Sequence, residues 1–97
     1  MEGCVTMGLG YALTEEVRFK NGEVLDKNFG TYELPRFSWV PQIENIIMPS
    51  DQPSQGGGEP AIVTVGAVIA NAIFDAVGAR VVHMPMTPAR VKAALTA

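Results

Sequence analysis

Five consecutive residues carry most of the chemistry that this sequence offers: Gly56-Gly57-Gly58-Glu59-Pro60. Three glycines let a ligand come up against the main chain, and their amide groups can donate to an anion or a carbonyl. Glu59 is fixed between Gly58 and Pro60, and proline biases the residue before it toward an extended backbone. A general base requires that kind of fixed position, within reach of the proton it takes. The competing use of Glu59 is plainer, as the acid that stabilises the N-terminus of the apolar helix predicted to follow. The glycines do not make a phosphate-binding P-loop, because no Lys-Ser/Thr follows them.

Few other side chains compete for a chemical role. Cys4 is the single cysteine and His83 the single histidine. One thiol excludes a disulfide within this chain, and one thiol with one imidazole needs further donors to build a zinc site. Cys4 reads as a small buried residue. His83, beside Val81 and Val82, reads as structural or surface. Asn71 suits either a buried backbone group or an approach to the glycine loop.

The elements that must hold these residues follow from local patterning. Val5, Leu9 and Ala12 recur at helical spacing in the opening segment, with Gly3, Gly8 and Gly10 between them. Gly8 and Gly10 each weaken an isolated helix by about 1 kcal/mol relative to alanine. Such a helix makes sense where its small-residue face lies close against another element. Asn21-Gly22 between Val17, Phe19 and Val24 predicts a hairpin over about 17–25, closed by a primed turn. Phe29, Tyr32, Phe37 and Trp39 lie in an irregular stretch and are expected to cover a core. Strands are expected over 42–48, from Ile43, Ile46 and Ile47, and over 80–83. Val65, Ile69, Ile73 and Val77 predict the main helix, over about 63–77, buried on more than one side and capped by Gly78. Thr87-Pro88 predicts the start of a last short helix. Together these elements make an α+β, two-layer arrangement of sheet and helices.

Composition removes several functions. With 97 residues, 47% of them hydrophobic and 18% charged, the chain folds rather than staying disordered, and its low charge leaves apolar surface to cover. Seven basic against ten acidic residues give a net charge of −3 without a basic cluster, so nucleic acid is not an expected partner. The opening ten residues do not read as a signal peptide. The segment from Ala61 to Phe74 falls short of the roughly 20 apolar residues that span a bilayer. The compartment stays open, with the cytoplasm slightly favoured over the periplasm.

The glycine–glutamate segment, with Ala61-Ile62-Val63 after it and Ile69-Ala70-Asn71-Ala72-Ile73 further on, resembles the C-terminal end of the xanthine dehydrogenase and aldehyde oxidase family, the molybdenum hydroxylases. The resemblance extends to Glu2-Gly3, Gly8-Leu9-Gly10-Tyr11-Ala12-Leu13, Asn21-Gly22, Asn28-Phe29 with Tyr32, and Met86-Thr87-Pro88-Ala89-Arg90-Val91. It therefore covers nearly the whole chain in order, most like the isoquinoline 1-oxidoreductase type. Residues 1–97 are then expected to form the C-terminal part of a molybdopterin-binding domain.

That resemblance implies hydroxylation of an aldehyde or an electron-poor N-heterocycle, with oxygen from water. Glu59 falls on the catalytic base of the family's Gly-x-Gly-Glu motif. Gly56, Gly57 and Gly58, with Gly3 and Cys4 of the opening segment, are the implied cofactor-binding residues, and no metal ligand is implied. The implied cofactor is molybdopterin with molybdenum, in some members the cytosine dinucleotide form. Iron–sulfur clusters on a partner domain or subunit would take the electrons. The implied partners are thus the remainder of the molybdenum subunit, the iron–sulfur subunit and a small-molecule substrate. Gln55 and Gly57 depart from the usual motif, which predicts a looser loop. Most of the site lies outside these residues, so the isolated chain is expected to be inactive and not to hold the cofactor stably. The alternative is a non-catalytic packing or assembly module of the same family.

Overall fold

Helix α1 (Glu2–Leu13) forms in spite of its glycines because they sit where it meets its neighbours. Gly8 and Gly10 are buried, along with Cys4 and Ala12. The helix stops at Thr14, where the amides of Thr14 and Glu15 both donate to the Gly10 carbonyl, at 3.0 and 2.9 Å. The Thr14 hydroxyl then donates to the Glu33 carbonyl at 2.8 Å, tying the following loop to the helix end. The computed structural model describes residues 1–96, and Ala97 lies outside them.

After α1 come β1 (Phe19–Lys20) and β2 (Glu23–Val24), paired antiparallel with Phe19 opposite Val24 and Lys20 opposite Glu23. Asn21 and Gly22 turn the hairpin with φ of 53° and 81°, the left-handed values that a primed turn requires. At its open end the Arg18 amide and Nε donate to Asp26 Oδ2 at 2.6 and 3.0 Å, while Nη2 donates to Oδ1 at 2.6 Å. A 3-10 turn occupies Phe37–Trp39. Helix α2 (Ile62–Val77) ends on Gly78, whose φ of 75° lets its amide reach the Phe74 carbonyl at 2.8 Å. Helix α3 (Pro88–Leu95) starts with Pro88 behind Thr87, whose hydroxyl accepts the Arg90 amide at 3.4 Å.

The core is small and lies where the end of α1 meets the segment between α2 and α3. Ala12, Ala79, Val81 and Met86 are buried there, against Leu13, Ile69, Ala70, Ile73, Val91 and Ala94. One of the last carbonyls of α1, on Ala12, finds its donor in the Met86 amide at 2.6 Å. Arg90 fastens the same junction, donating to the Pro85 carbonyl at 2.8 Å and to Glu16 Oε1 at 2.7 Å. The class is therefore small mixed α+β, with a two-stranded sheet and short helices.

Several local expectations are corrected. Residues 42–48 form no strand, and Ile46, Ile47 and Met48 stand 77%, 84% and 76% exposed. Residues 80–83 form no strand either, although Val81 is buried and Val82 exposed as alternation would have it. Both segments lack a neighbour to share a hydrogen-bond ladder with among the described residues. Phe29 and Phe37 are exposed rather than laid over a core. Of the residues in α2 only Val65 is buried, so the several-sided burial expected of this helix is not met within the chain.

These exposures add up. The accessible surface is 7,687 Å2, whereas a compact monomer of this mass exposes about 5,400 Å2. The radius of gyration is 16.3 Å, against about 12.5 Å for a compact domain of this length. Apolar side chains contribute to the excess, with Val63, Val68, Phe74 and Val77 of α2 all among the exposed large hydrophobics.

Candidate functional site

The glycine segment runs into α2 through a turn over Gly58–Ala61, closed where the Ile62 amide donates to the Glu59 carbonyl at 3.1 Å. The residue at the N-cap of α2 is Ala61, and no side chain caps the helix. Glu59 is thus not spent as a helix cap. Its residue is exposed, and with Gly56, Gly58, Pro60 and Val63 it lines an open cavity of about 450 Å3. Among the described residues its carboxylate makes no hydrogen bond or ion pair, so it is available to a group entering that cavity.

The glycines are unusual in what surrounds them. A side chain begun at Gly56, Gly57 or Gly58 would meet nothing within 4 Å. None has the positive φ seen at Gly22 and Gly78. Neither packing within the chain nor backbone conformation therefore demands glycine at these three positions. Close approach by a bulky group from outside does explain it, and in this respect the residues present fit a large cofactor lying against the loop.

Cys4 meets the same loop. It is 3% exposed, and its sulfhydryl donates to the Gly58 carbonyl at 2.6 Å, with the Gly57 carbonyl 3.8 Å away. Gly3, one position earlier on α1, points elsewhere. It borders a separate groove with Glu2, Thr6, Met7, Phe37, Val40, Pro41 and Ile43. The structure so brings together Gly56, Gly58, Glu59 and, through its hydrogen bond, Cys4, while Gly3 stands apart. Asn71 is used away from the loop: its side-chain oxygen accepts from Arg80 Nη1 at 2.8 Å, and that guanidinium lies 4.1 Å over the Phe74 ring. His83 is exposed.

Sequence reasoning missed the use of the Cys4 thiol, because its partner is 54 positions away and no local pattern joins them. It also missed Glu15, whose Oε2 is buried without a hydrogen-bond partner. Burial pushes the Glu15 carboxyl above its usual range. No group of three or more His, Cys, Asp or Glu side chains suited to a metal ion occurs among the described residues.

Residues 1–41 match the family described as the molybdopterin cofactor-binding domain. Curated relatives align along nearly the whole chain. A membrane-bound aldehyde dehydrogenase (pyrroloquinoline-quinone) from Gluconacetobacter polyoxogenes is 41% identical over 93% of this chain and 12% of its own length. A nicotinate dehydrogenase subunit from Pseudomonas putida is 40% identical over 98% of this chain and 8% of its own. A xanthine dehydrogenase molybdenum-binding subunit from Escherichia coli is 34% identical over 94% of this chain and 13% of its own. Quinoline 2-oxidoreductase from Pseudomonas putida 86 shares the fold, with a TM-score of 0.79 over 98% of this chain and 13% of that one, at 24% identity.

The matched class is thus that of molybdopterin-binding subunits. On these matches the chain is a fragment of a molybdopterin-binding subunit of the xanthine dehydrogenase and aldehyde oxidase family. It spans about an eighth or less of the curated relatives it matches.

Proposed function

We propose that this chain contributes the catalytic base, Glu59, to a molybdenum hydroxylase that oxidises an aldehyde or an N-heterocycle with water. The observation that carries the reading is the Glu59 carboxylate itself, exposed at a glycine-walled cavity with the helix-capping role left unused.

Molybdopterin-held molybdenum would supply the redox chemistry that turns a C–H bond into C–OH. The net change is R–H and water to R–OH, with two electrons and two protons released. Gly56, Gly57 and Gly58 admit the cofactor against the main chain. Cys4 supports the loop from α1, and the opening segment with Gly3, whose groove is separate, would meet the cofactor elsewhere. Glu59 accepts a proton on a carboxylate oxygen as oxygen from water joins the substrate carbon. Pro60 behind it and the Ile62 amide on its carbonyl limit how the residue can turn. The electrons pass to iron–sulfur clusters of a partner domain or subunit. The remainder of the molybdenum subunit covers the exposed faces of α2, and residues 1–97 form the C-terminal part of its domain. Relatives named for an aldehyde, nicotinate and xanthine match at similar identity, so the isoquinoline type is not singled out.

Glu59→Gln in the complete enzyme tests the reading. Turnover should fall by about 10²–10⁴-fold, the usual contribution of a general base, with molybdenum content unchanged. Unchanged turnover would leave the non-catalytic packing module as the reading. The 41%-identical relative carries pyrroloquinoline-quinone in its name, so metal analysis of the purified enzyme is the companion measurement. Stoichiometric molybdenum supports the hydroxylase, and a quinone without molybdenum would overturn it.

A further inference from the structure

We propose that Cys4 is a positioning residue for Glu59, acting through the hydrogen bond from its sulfhydryl to the Gly58 carbonyl. The inference rests on the reading of Glu59 as the base.

The loop that carries Glu59 has few anchors. Residues 49–60 are all exposed, and the three glycines have open space where side chains would be. Within the loop the hydrogen bond from the Gln52 amide to Ser50 Oγ, at 3.1 Å, is local and far from the glutamate. Two contacts hold the segment near Glu59. On its C-terminal side the Ile62 amide takes the Glu59 carbonyl into the start of α2. On its N-terminal side the contact is Cys4 Sγ to the Gly58 oxygen, at 2.6 Å. Gly58 is bonded to Glu59, so fixing its carbonyl fixes the peptide plane from which the glutamate departs.

Helix α1 also locates the start of α2, from the face that carries Cys4. Cys4 and Gly8 are four residues apart and so lie above one another on the helix. Gly8 meets Val65, in the first turns of α2, so closely that a methyl group there would stand 2.7 Å from the Val65 Cβ. One face of α1 therefore locates the beginning of α2 through Gly8 and the preceding loop through Cys4, with Glu59 between the two points. A thiol is a weak donor, and its part here is geometric. Misplacing a reacting group by about 1 Å can cost 10²-fold in rate, which leaves room for a weak bond to matter.

The test uses the complete enzyme with Cys4→Val, close in size but without a donor, and Cys4→Ser, which keeps one. With C4V, kcat should fall about tenfold or more while KM and molybdenum content stay near wild type. The loss of kcat should be restored in C4S. On an E59Q background C4V should cost nothing further, because the two residues act as one unit. A wild-type kcat in C4V would overturn the proposal. So would equal loss in C4V and C4S with molybdenum released, which marks a packing role, or an undiminished C4V effect on the E59Q background. Failure of E59Q alone to slow turnover would instead remove the base, and is read separately.

Discussion

Gly8 of α1 lies so near Val65 of α2 that a methyl group on it would stand 2.7 Å from both the Val65 Cβ and Cγ2. The neighbour is a branched carbon next to the backbone, which cannot swing aside as the tip of a long chain would. Gly8→Ala should therefore force the two helices apart and destabilise the fold by about 1–3 kcal/mol, the usual range for overpacking. Chemical denaturation checks this, and adding Val65→Ala should restore part of the loss.

Gly57 presents the opposite case, since a side chain there meets nothing within 4 Å. Gly57→Ala should change stability by less than about 0.5 kcal/mol, as surface substitutions do. If the loop lies against the cofactor as proposed, the same change should lower the molybdenum content of the complete enzyme. Denaturation and metal analysis on one preparation separate the two effects.

The hairpin should respond to acid. Bonds from the Arg18 side chain and amide hold the Asp26 carboxyl at about 2, against an ordinary 3.8. Because the folded value is depressed, the stabilisation is complete above the ordinary value and is lost as pH falls through about 2. Protection of the Arg18 amide, measured against its intrinsic exchange rate at each pH, should be high at pH 5 and lost toward pH 2. Asp26→Ala, which has no acceptor, should give low protection at both.

Glu15 should behave with the opposite sign. Burial raises its carboxyl above the ordinary 4.5, and its Oε2 lacks a partner. A raised acid favours the protonated folded state, so stability is fullest below the ordinary value and declines as pH rises through the folded one. Glu15→Gln removes the charge and should raise the melting temperature at pH 7 relative to wild type. At pH 4 the difference should shrink.

The parts of this structure that were legible in the sequence are those decided by a few neighbouring residues. Asn21-Gly22 tolerates positive φ at two positions in a row, Gly78 takes the left-handed cap, and Thr87-Pro88 opens α3 with a cap and a preset φ. What escaped depends on distant partners. A strand needs a second strand, and Ile43, Ile46 and Ile47 find none among the described residues. Aromatic and valine side chains promise burial without saying what will bury them, so Phe37 and much of α2 stand open. The Cys4 thiol looked like filler because Gly58 is remote in the chain.

The fastenings between Ala12 and Met86 and between Glu16 and Arg90 join the first third of the chain to its last third without help from the exposed stretch over 44–57. A single protease nick in that stretch would cut the polypeptide while leaving α1, α2 and α3 docked. Exposed loops are where such cuts fall. The nicked molecule would then carry Cys4 on one polypeptide and Glu59 on the other. Two separately made halves, 1–50 and 51–97, would have the same two fastenings with which to find each other, and complementation between them would rebuild the site across a break in the chain.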